Sequence, residues 1–358
     1  MINLSYPDIT KDEFRAVKRV LKSRKLAQGE EVEAFEKEFS KLVGERNCIA
    51  VNSGTSGLHI ALISAGVGPG DEVIVPSFSF AATANSVALT GATPVFVDID
   101  IDTFNINPNS IKTAISSKTK AIQPVHLYGL PADMPAIESI AKDNNLVVLE
   151  DAAQAHGATI NGKSVGQFGD FATFSFYPTK NMTSGEGGMV VCKDYQQARL
   201  CRLLRNQGME KRYLNEVIGF NLRMTDIHAA IGRVQLTKLA KFTEKRRANA
   251  DFYNSHLENV IKPTTPPGYE HVYHQYTIRL PDSNRDFVEK TLKEKGIATG
   301  VYYPIPIHRL PSFNKVINLP NTEMASRQVL SLPVHPKLKE KDLHQIVKQI
   351  NLITRAGA

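Results

Sequence analysis

Residues 171–191 read FATFSFYPTKNMTSGEGGMVV and combine two apolar runs with a lysine and a glycine-rich segment between them. The apolar run FATFSF predicts a buried strand, Lys180 follows its end, and a glycine-rich segment leads into a second apolar run, MVV. A lysine that forms an imine must lose its proton and be held rigidly, and the end of a buried strand favours both. A lone lysine before a glycine-rich loop is nevertheless more often an exposed surface residue without a functional role.

Short apolar runs of the same kind continue from Cys48 to about Val191 and are separated by helical or glycine-rich stretches. In chain order they read CIAV, EVIVP, TPVFVD, AIQPV, LVVLED, FATFSF and MVV. Strands that alternate with helices predict an α/β fold with a mainly parallel sheet covered by helices on both faces. Ligands bind such a sheet beyond the carboxyl ends of its strands, so functional residues are expected directly after strands.

The length of 358 residues predicts more than one domain, because single cores rarely keep growing to this size. We expect a large domain at residues 1–245, which includes an N-terminal helical segment, and a small α+β domain at 246–358. The pattern from Thr10 to Glu13 is a capping box that opens an amphipathic helix to about Leu21.

The composition excludes several classes of function. The chain has 43 basic and 36 acidic side chains, a formal charge of +7, but no aromatic-rich basic stripe, so an anionic small molecule is a better partner than nucleic acid. Three cysteines without metal-ligand spacing argue against a disulfide framework and a zinc site. The N-terminus does not resemble a signal peptide and no run of about 18 apolar residues occurs, which predicts a cytoplasmic protein without a membrane partner.

Two further strand ends carry candidate residues. In AVNSGTSGLHIAL a turn with Gly54 and Thr55 precedes a helix whose free N–H groups suit phosphate, although on its own such a turn more often serves only to cap the helix. In LVVLEDAAQAHGA, Asp151 ends an apolar strand, where its charge needs a positive partner such as a protonated pyridine nitrogen. Gln154 lies three residues on, within reach of that ring's phenolic oxygen. An ordinary helix cap is an equally good explanation of Asp151.

The three strand ends together match one cofactor. They supply a phosphate turn, an anion for a pyridinium and an amine for an aldehyde, and Ser175 adds a hydroxyl for phosphate. These are the groups through which pyridoxal 5′-phosphate (PLP) is bound, so the sequence predicts PLP as the cofactor.

The chain also resembles the DegT/DnrJ/EryC1/StrS family of sugar aminotransferases. The matching segments occur in family order across nearly the whole chain: NSGTSGLHIAL, GDEVIVPSFSFAATANSV, PVFVDID, EDAAQAHGA, FSFYPTKNMTSGEGG, GFNLRMTDIHAAIGRVQL and VYYPIPIHRLPSF. The resemblance implies PLP fold type I, in which a mainly parallel, seven-stranded type of sheet lies between helices and a smaller α+β domain follows.

The resemblance also implies a role for individual residues. Lys180 matches the lysine that binds PLP covalently and moves the substrate's proton, Asp151 matches the partner of the ring nitrogen, and Gln154 lies beside the ring oxygen. Phe78 matches an aromatic residue that stacks on the ring, although a core aromatic is the alternative. Three residues match those that bind the cofactor phosphate: Gly54, Thr55 and Ser175.

Three more positions are implied outside this set. Asn221 matches an asparagine that reaches the cofactor phosphate of the neighbouring subunit, which implies a homodimer with shared active sites; a helix cap is its simpler interpretation. Tyr303 and His308 match a loop on the sugar side of the site. A structural hydrogen bond is at least as good an explanation of His308 as contact with substrate.

The expected function is transfer of an amino group from glutamate or glutamine to a keto sugar, expected to be nucleotide-linked, in the biosynthesis of amino sugars, surface polysaccharides or secondary metabolites. The alternatives are a keto-cyclitol aminotransferase, a PLP-dependent sugar dehydratase and a non-catalytic PLP-binding regulator. The dehydratase branch of the family has histidine in place of the PLP-binding lysine, so Lys180 argues for transamination.

Overall fold

The computed structural model describes residues 1–281 and 283–356. The strands are β1 Asn47–Val51, β2 Glu72–Pro76, β3 Thr93–Val97, β4 Thr119–Ile122, β5 Val147–Asp151, β6 Thr159–Ile160, β7 Lys163–Ser164, β8 Phe171–Ser175, β9 Gly188–Cys192, β10 Met209–Lys211, β11 Leu214–Asn215, β12 Tyr269–Glu270, β13 Tyr276–Arg279 and β14 Val329–Leu332. The α-helices are α1 Lys11–Ser23, α2 Glu30–Ser40, α3 Gly54–Ser64, α4 Ala82–Ala88, α5 Pro108–Ala114, α6 Met134–Asp143, α7 Tyr195–Arg205, α8 Asp226–His256, α9 Arg285–Glu294, α10 Pro320–Gln328 and α11 Glu340–Ala356.

A seven-stranded sheet forms the centre of the molecule, in the order β1-β9-β8-β5-β4-β2-β3. Neighbouring strands from β8 to β3 run parallel, whereas β9 is antiparallel to both β1 and β8. The apolar runs of the sequence correspond to these strands. The predicted α/β fold with a mainly parallel, seven-stranded sheet is therefore confirmed.

Helices cover both faces of the sheet, which explains why the strand sequences are apolar throughout. In β9, Val190 packs into a cluster with residues of α3 and α7, whereas Met189 and Val191 pack into a second cluster with residues of α2 and α8. Because successive side chains of a strand point to opposite faces, each face needs its own apolar residues.

The first helix confirms the capping box of the sequence. The Oγ1 atom of Thr10 accepts a hydrogen bond from the backbone N–H of Asp12, and the carboxylate of Glu13 accepts one from the backbone N–H of Thr10 at 2.7 Å. None of the helices in the described ranges is long and apolar enough to cross a membrane.

The C-terminal region has a separate apolar core around the antiparallel pair β13–β14, packed by α9, α11 and the end of α8. Helix α8 contributes Leu239 to a cluster on the large sheet and Tyr253 to this second core. It runs without a break across residues 245 and 246, where the sequence predicted the domain boundary. The boundary itself stays a prediction.

Candidate active site

A cavity of about 640 Å³ lies beyond the carboxyl ends of β1, β2, β5 and β8. This is the place where α/β sheets bind ligands, and the volume suits a small molecule. The lining includes these residues from the sequence prediction: Gly54, Thr55, Asp151, Gln154, Ser175, Lys180 and Tyr303. Phe78, Asn221 and His308 lie outside it.

The N-terminus of α3 forms one end of the cavity. Ser53 caps the helix, and its Oγ atom accepts a hydrogen bond from the backbone N–H of Ser56 at 3.1 Å. A Cβ atom on Gly54 would lie only 2.9 Å from the Cβ atom of Ser175, so glycine permits the helix to approach the end of β8. The N–H groups of the first turn and the Ser175 hydroxyl therefore lie together, an arrangement suited to a phosphate.

Asp151 lies at the end of β5 and is buried. Its Oδ2 atom accepts a hydrogen bond from the Thr83 hydroxyl at 3.0 Å, and its Oδ1 atom accepts one from the backbone N–H of Ala153 at 3.3 Å. Burial raises the pKa of Asp151 above its usual value, although these hydrogen bonds and the charge of Lys180 oppose the rise. A cation within the cavity would lower that pKa again, so the site favours a positively charged ligand group.

Lys180 follows β8, and its backbone N–H donates to the carbonyl of Tyr177 at 2.9 Å. Burial lowers the pKa of Lys180 to about 8, while the charge of Asp151 opposes this change. The fraction of unprotonated amine near neutral pH is therefore much larger than for an ordinary lysine, and the unprotonated form is the nucleophile.

Gln154 is held by two hydrogen bonds. Its Oε1 atom accepts from the backbone N–H of Tyr128 at 2.7 Å, and its Nε2 atom donates to the hydroxyl of Tyr303 at 3.1 Å. Tyr303 itself comes from a loop far along the chain. The two sequence-predicted residues thus join the end of the large sheet to the C-terminal region across the cavity.

The two phenylalanines of the PSFSF segment have different surroundings. Phe78 is buried, with its ring centroid 6.0 Å from that of Phe104 and 6.1 Å from that of Tyr303. Phe80 lines the cavity, and 60% of its surface is exposed. The geometry corresponds to the core-aromatic alternative for Phe78 and makes Phe80 the better candidate to stack on a ligand.

His308 is buried away from the cavity. Its Nδ1 atom lies 2.7 Å from the Ser77 hydroxyl, and its Nε2 atom lies 3.6 Å from the carboxylate of Glu323. Of the two interpretations of His308 in the sequence, a structural hydrogen bond and contact with substrate, this geometry corresponds to the structural hydrogen bond. The structure does not bring His308 to the site.

Asn221 is exposed and forms a backbone bridge with Asn206. It does not cap a helix, because the cap of α8 is Thr225, whose Oγ1 atom accepts a hydrogen bond from the backbone N–H of His228 at 3.3 Å. The capping alternative for Asn221 is therefore wrong.

Several lining residues were missed by the sequence analysis. Thr83, in the first turn of α4, holds Asp151, and its only signal was a hydroxyl close after β2. The cavity is also lined by three residues from the C-terminal half of the chain whose side chains are polar but uncharged: His274, Gln275 and Tyr302. These residues follow no long strand and carry no charge pattern.

The residues present fit PLP. The helix N-terminus with Ser175 suits its phosphate, the buried carboxylate of Asp151 suits a protonated ring nitrogen, and the Lys180 amine suits its aldehyde. The carboxylate and the amine line one cavity with the phosphate end, as one small cofactor requires.

Comparisons with curated proteins agree with this geometry. The chain is 45% identical over 362 residues to the pleiotropic regulatory protein of Geobacillus stearothermophilus, an alignment that covers 98% of this chain and 97% of the relative. It is 44% identical over 337 residues to the UDP-N-acetyl-3-dehydro-α-D-glucosamine 3-aminotransferase of Acidithiobacillus ferrooxidans, with 93% and 91% covered.

Solved structures have the same fold. The crystal structure of Streptomyces venezuelae DesV in complex with a ketimine intermediate superimposes with a TM-score of 0.93 at 38% identity, covering 96% of this chain and 94% of DesV. NtdA of Bacillus subtilis with bound cofactor PMP gives 0.91 at 34% identity, with 96% and 82% covered. The model of the DegT/DnrJ/EryC1/StrS aminotransferase family matches residues 7–351. The chain therefore belongs to the DegT/DnrJ/EryC1/StrS aminotransferase family.

Proposed function

We propose that this chain is a PLP-dependent aminotransferase that transfers an amino group from glutamate or glutamine to a keto sugar linked to a nucleotide. The observation that carries the proposal is the cavity in which Lys180, Asp151 and the N-terminus of α3 face one ligand space. The substrate class follows from relatives such as the A. ferrooxidans aminotransferase, whose name gives a UDP-linked keto sugar as its substrate. The expected setting is the biosynthesis of amino sugars, surface polysaccharides or secondary metabolites.

Each residue has a defined task in this reaction. When bound, PLP supplies an aldehyde that takes up the amino group and a ring that withdraws electrons from the bond being broken. Asp151 holds the ring nitrogen in its protonated form, and Thr83 fixes that carboxylate. The ε-nitrogen of Lys180 binds the cofactor and then carries the proton to and from the substrate carbon. We assign the stacking position to Phe80 in place of Phe78.

The direct test is an assay of the PLP-loaded protein with glutamate or glutamine and a panel of UDP-, GDP- and dTDP-linked keto sugars. The cofactor spectrum should change with one donor, and an amino sugar should form only when donor and acceptor are both present. A keto-cyclitol aminotransferase would aminate a cyclitol instead, and a dehydratase would release water without a donor.

A regulator without turnover is a second candidate, because the G. stearothermophilus relative is called a pleiotropic regulatory protein. The complete set of Lys180, Asp151 and Ser175 supports the enzyme instead. A regulator would bind PLP yet leave the cofactor spectrum unchanged with every donor and acceptor of the panel. That result would contradict the proposed transamination.

We also propose a homodimer in which Asn221 serves the partner's site. Its exposed position away from the cavity of its own chain supports this assignment. Lys180→Ala and Asn221→Ala homodimers should both be inactive, whereas a heterodimer of the two should regain one working site. If each Asn221 served its own chain, every site of the verified heterodimer would keep one defect and no activity would return.

The protein is proposed to act in the cytoplasm. Its three cysteines, Cys48, Cys192 and Cys201, are buried and unpaired. Unpaired cysteines are typical of proteins in reducing compartments.

A further inference from the structure

His274 is a histidine on the cavity wall whose role neither the sequence nor the proposed reaction has assigned. It lies just before β13, is only 5% exposed, and lines the cavity together with Lys180. Its Nδ1 atom is buried and has no hydrogen-bond partner among the residues that the structure describes. Burying a ring nitrogen without a hydrogen-bond partner costs free energy. We therefore expect this nitrogen to have a hydrogen-bond partner in the working protein.

The main chain around His274 is fixed to its surroundings. The carbonyl of His274 accepts a hydrogen bond from Arg246 Nη1 at 3.3 Å, and the backbone N–H of Val272 donates to the carbonyl of Gly129 at 3.0 Å. A Cβ atom on Gly129 would lie 2.9 Å from the backbone nitrogen of His274, so glycine is needed for this close approach. The imidazole is therefore placed against the cavity by several independent contacts.

The surroundings keep the imidazole neutral. Burial is the main cause that holds the pKa of His274 well below its usual range, and nearby groups of positive or potentially positive charge lower it further. These groups are Lys180 after β8, Arg246 on α8, His156 after β5 and His271 on the same segment. A neutral imidazole always keeps one ring nitrogen as a hydrogen-bond acceptor.

Lys180 has the complementary requirement. Its ε-amino group can donate up to three hydrogen bonds, yet only burial and the charge of Asp151 influence its pKa, and no hydrogen bond contributes. Gln154 Oε1 already accepts from Tyr128 and both oxygens of Asp151 already accept hydrogen bonds, whereas the buried Nδ1 atom of His274 accepts none from the described residues. His274 therefore offers Lys180 an acceptor that no described residue uses.

We propose that His274 is a positioning residue for Lys180, which accepts a hydrogen bond from the ε-amino group whenever that group is not joined to the cofactor. The imidazole would then hold the lysine in the cavity, ready to deliver or remove the substrate's proton. This catalytic meaning rests on the proposed aminotransferase function. The contact itself belongs to the chain and can be tested without cofactor or substrate.

The test measures the pKa of Lys180 in the full-length, cofactor-free protein, from the pH dependence of its acetylation by acetic anhydride, followed by mass spectrometry of the Lys180 peptide. Burial and the charge of Asp151 alone place the pKa of Lys180 at about 8, so in the native chain the proposed hydrogen bond should raise it above that value. His274→Phe removes the acceptor that favours the protonated amine, so the pKa should fall by about 0.5 to 1, the equivalent of one ordinary hydrogen bond. His274→Asn and His274→Gln place an amide oxygen near either ring nitrogen, and one of them should restore the native value.

A matched control lies on the same segment. His271 is also buried, but its Nδ1 atom accepts a hydrogen bond from the backbone N–H of Tyr273 at 2.9 Å, and it does not line the cavity. His271→Asn should leave the pKa of Lys180 unchanged. Circular dichroism checks that every variant is folded, and His274→Leu replaces the phenylalanine variant if that protein does not fold.

The outcomes separate the proposal from its alternatives. A lower pKa in the apolar variant, with recovery in one amide variant, supports the contact. An unchanged pKa in a folded apolar variant overturns it, and so does an equal change in His271→Asn, which would mean a general disturbance of the segment. Because no cofactor is present, failure here leaves the proposed function untouched, and failure of the transamination assay leaves this result untouched.

Discussion

The cavity has two walls that differ in charge. The sheet wall, Gly54, Thr55, Asp151, Ser175 and Lys180, follows the strands of the large sheet and carries a carboxylate, an amine and a helix N-terminus. The loop wall, His274, Gln275, Tyr302 and Tyr303, carries neutral hydrogen-bonding groups. A charged cofactor needs fixed opposite charges, which the buried strand ends supply, whereas the loop wall offers only neutral hydrogen-bonding groups. Substitutions in the sheet wall should therefore cost far more activity than substitutions in the loop wall.

The largest effect is expected for Lys180→Ala. The substitution removes the covalent anchor and the proton carrier together, so turnover should fall by about three to six powers of ten. Steady-state and single-turnover assays measure the loss. Lys193→Ala, which changes an exposed lysine just beyond β9, serves as the control and should retain native rates. A Lys180→Ala protein with more than a tenth of native activity would mean that the sheet wall does not contain the reactive amine.

The next largest effect is expected for Asp151→Asn. A neutral amide no longer favours the protonated ring nitrogen, and losing such a charge partner lowers a pKa by about 1 to 3. The half-reaction with the amino donor should therefore slow by about 10- to 1,000-fold, which stopped-flow absorbance of the cofactor measures. Near-native rates in a folded variant would show that another residue holds the ring nitrogen.

A smaller effect is expected for Thr83, which contacts the carboxylate of Asp151. Thr83→Val keeps the shape of the side chain but removes the hydroxyl that donates to the carboxylate, so the same half-reaction should slow by about 3- to 10-fold. Ser86→Ala is the control on the same helix, since the Ser86 hydroxyl donates to the carbonyl of Thr83 and does not touch Asp151. Equal losses in the two variants would indicate a disturbed helix instead.

The smallest effect is expected in the loop wall. Tyr303→Phe removes the hydroxyl that accepts from Gln154, and the affinity for PLP should fall by about 2- to 10-fold, as measured by fluorescence titration. Tyr276→Phe removes a hydroxyl bonded to Asn254 outside the cavity and should leave the affinity unchanged. A loss of PLP affinity in Tyr303→Phe of about three powers of ten or more, comparable with the loss of turnover in Lys180→Ala, would abolish the distinction between the walls.

The same contrast explains what could be predicted from the sequence. Asp151, Ser175 and Lys180 each end or follow an apolar run, and the topology of an α/β sheet brings such ends together. His274 and Gln275 reach the cavity only because backbone hydrogen bonds join their segment to the loop before α6. Contacts between such distant segments leave no local pattern.

The phenylalanine pair shows a second limit. Phe78 and Phe80 are two residues apart in the connection between β2, which ends at Pro76, and α4, which begins at Ala82. Outside a strand the alternation of side chains no longer tells which ring is buried. Only the packing of Phe78 against Phe104 and Tyr303 leaves Phe80 to face the cavity.

Lys180 on the sheet wall is the residue proposed to bind the cofactor. Borohydride reduction of the PLP-loaded native protein, followed by proteolysis and mass spectrometry, tests this most directly, because reduction makes the link between cofactor and lysine permanent. We expect one modified peptide, which contains Lys180. Modification of a different lysine, with Lys180 left free, would contradict it.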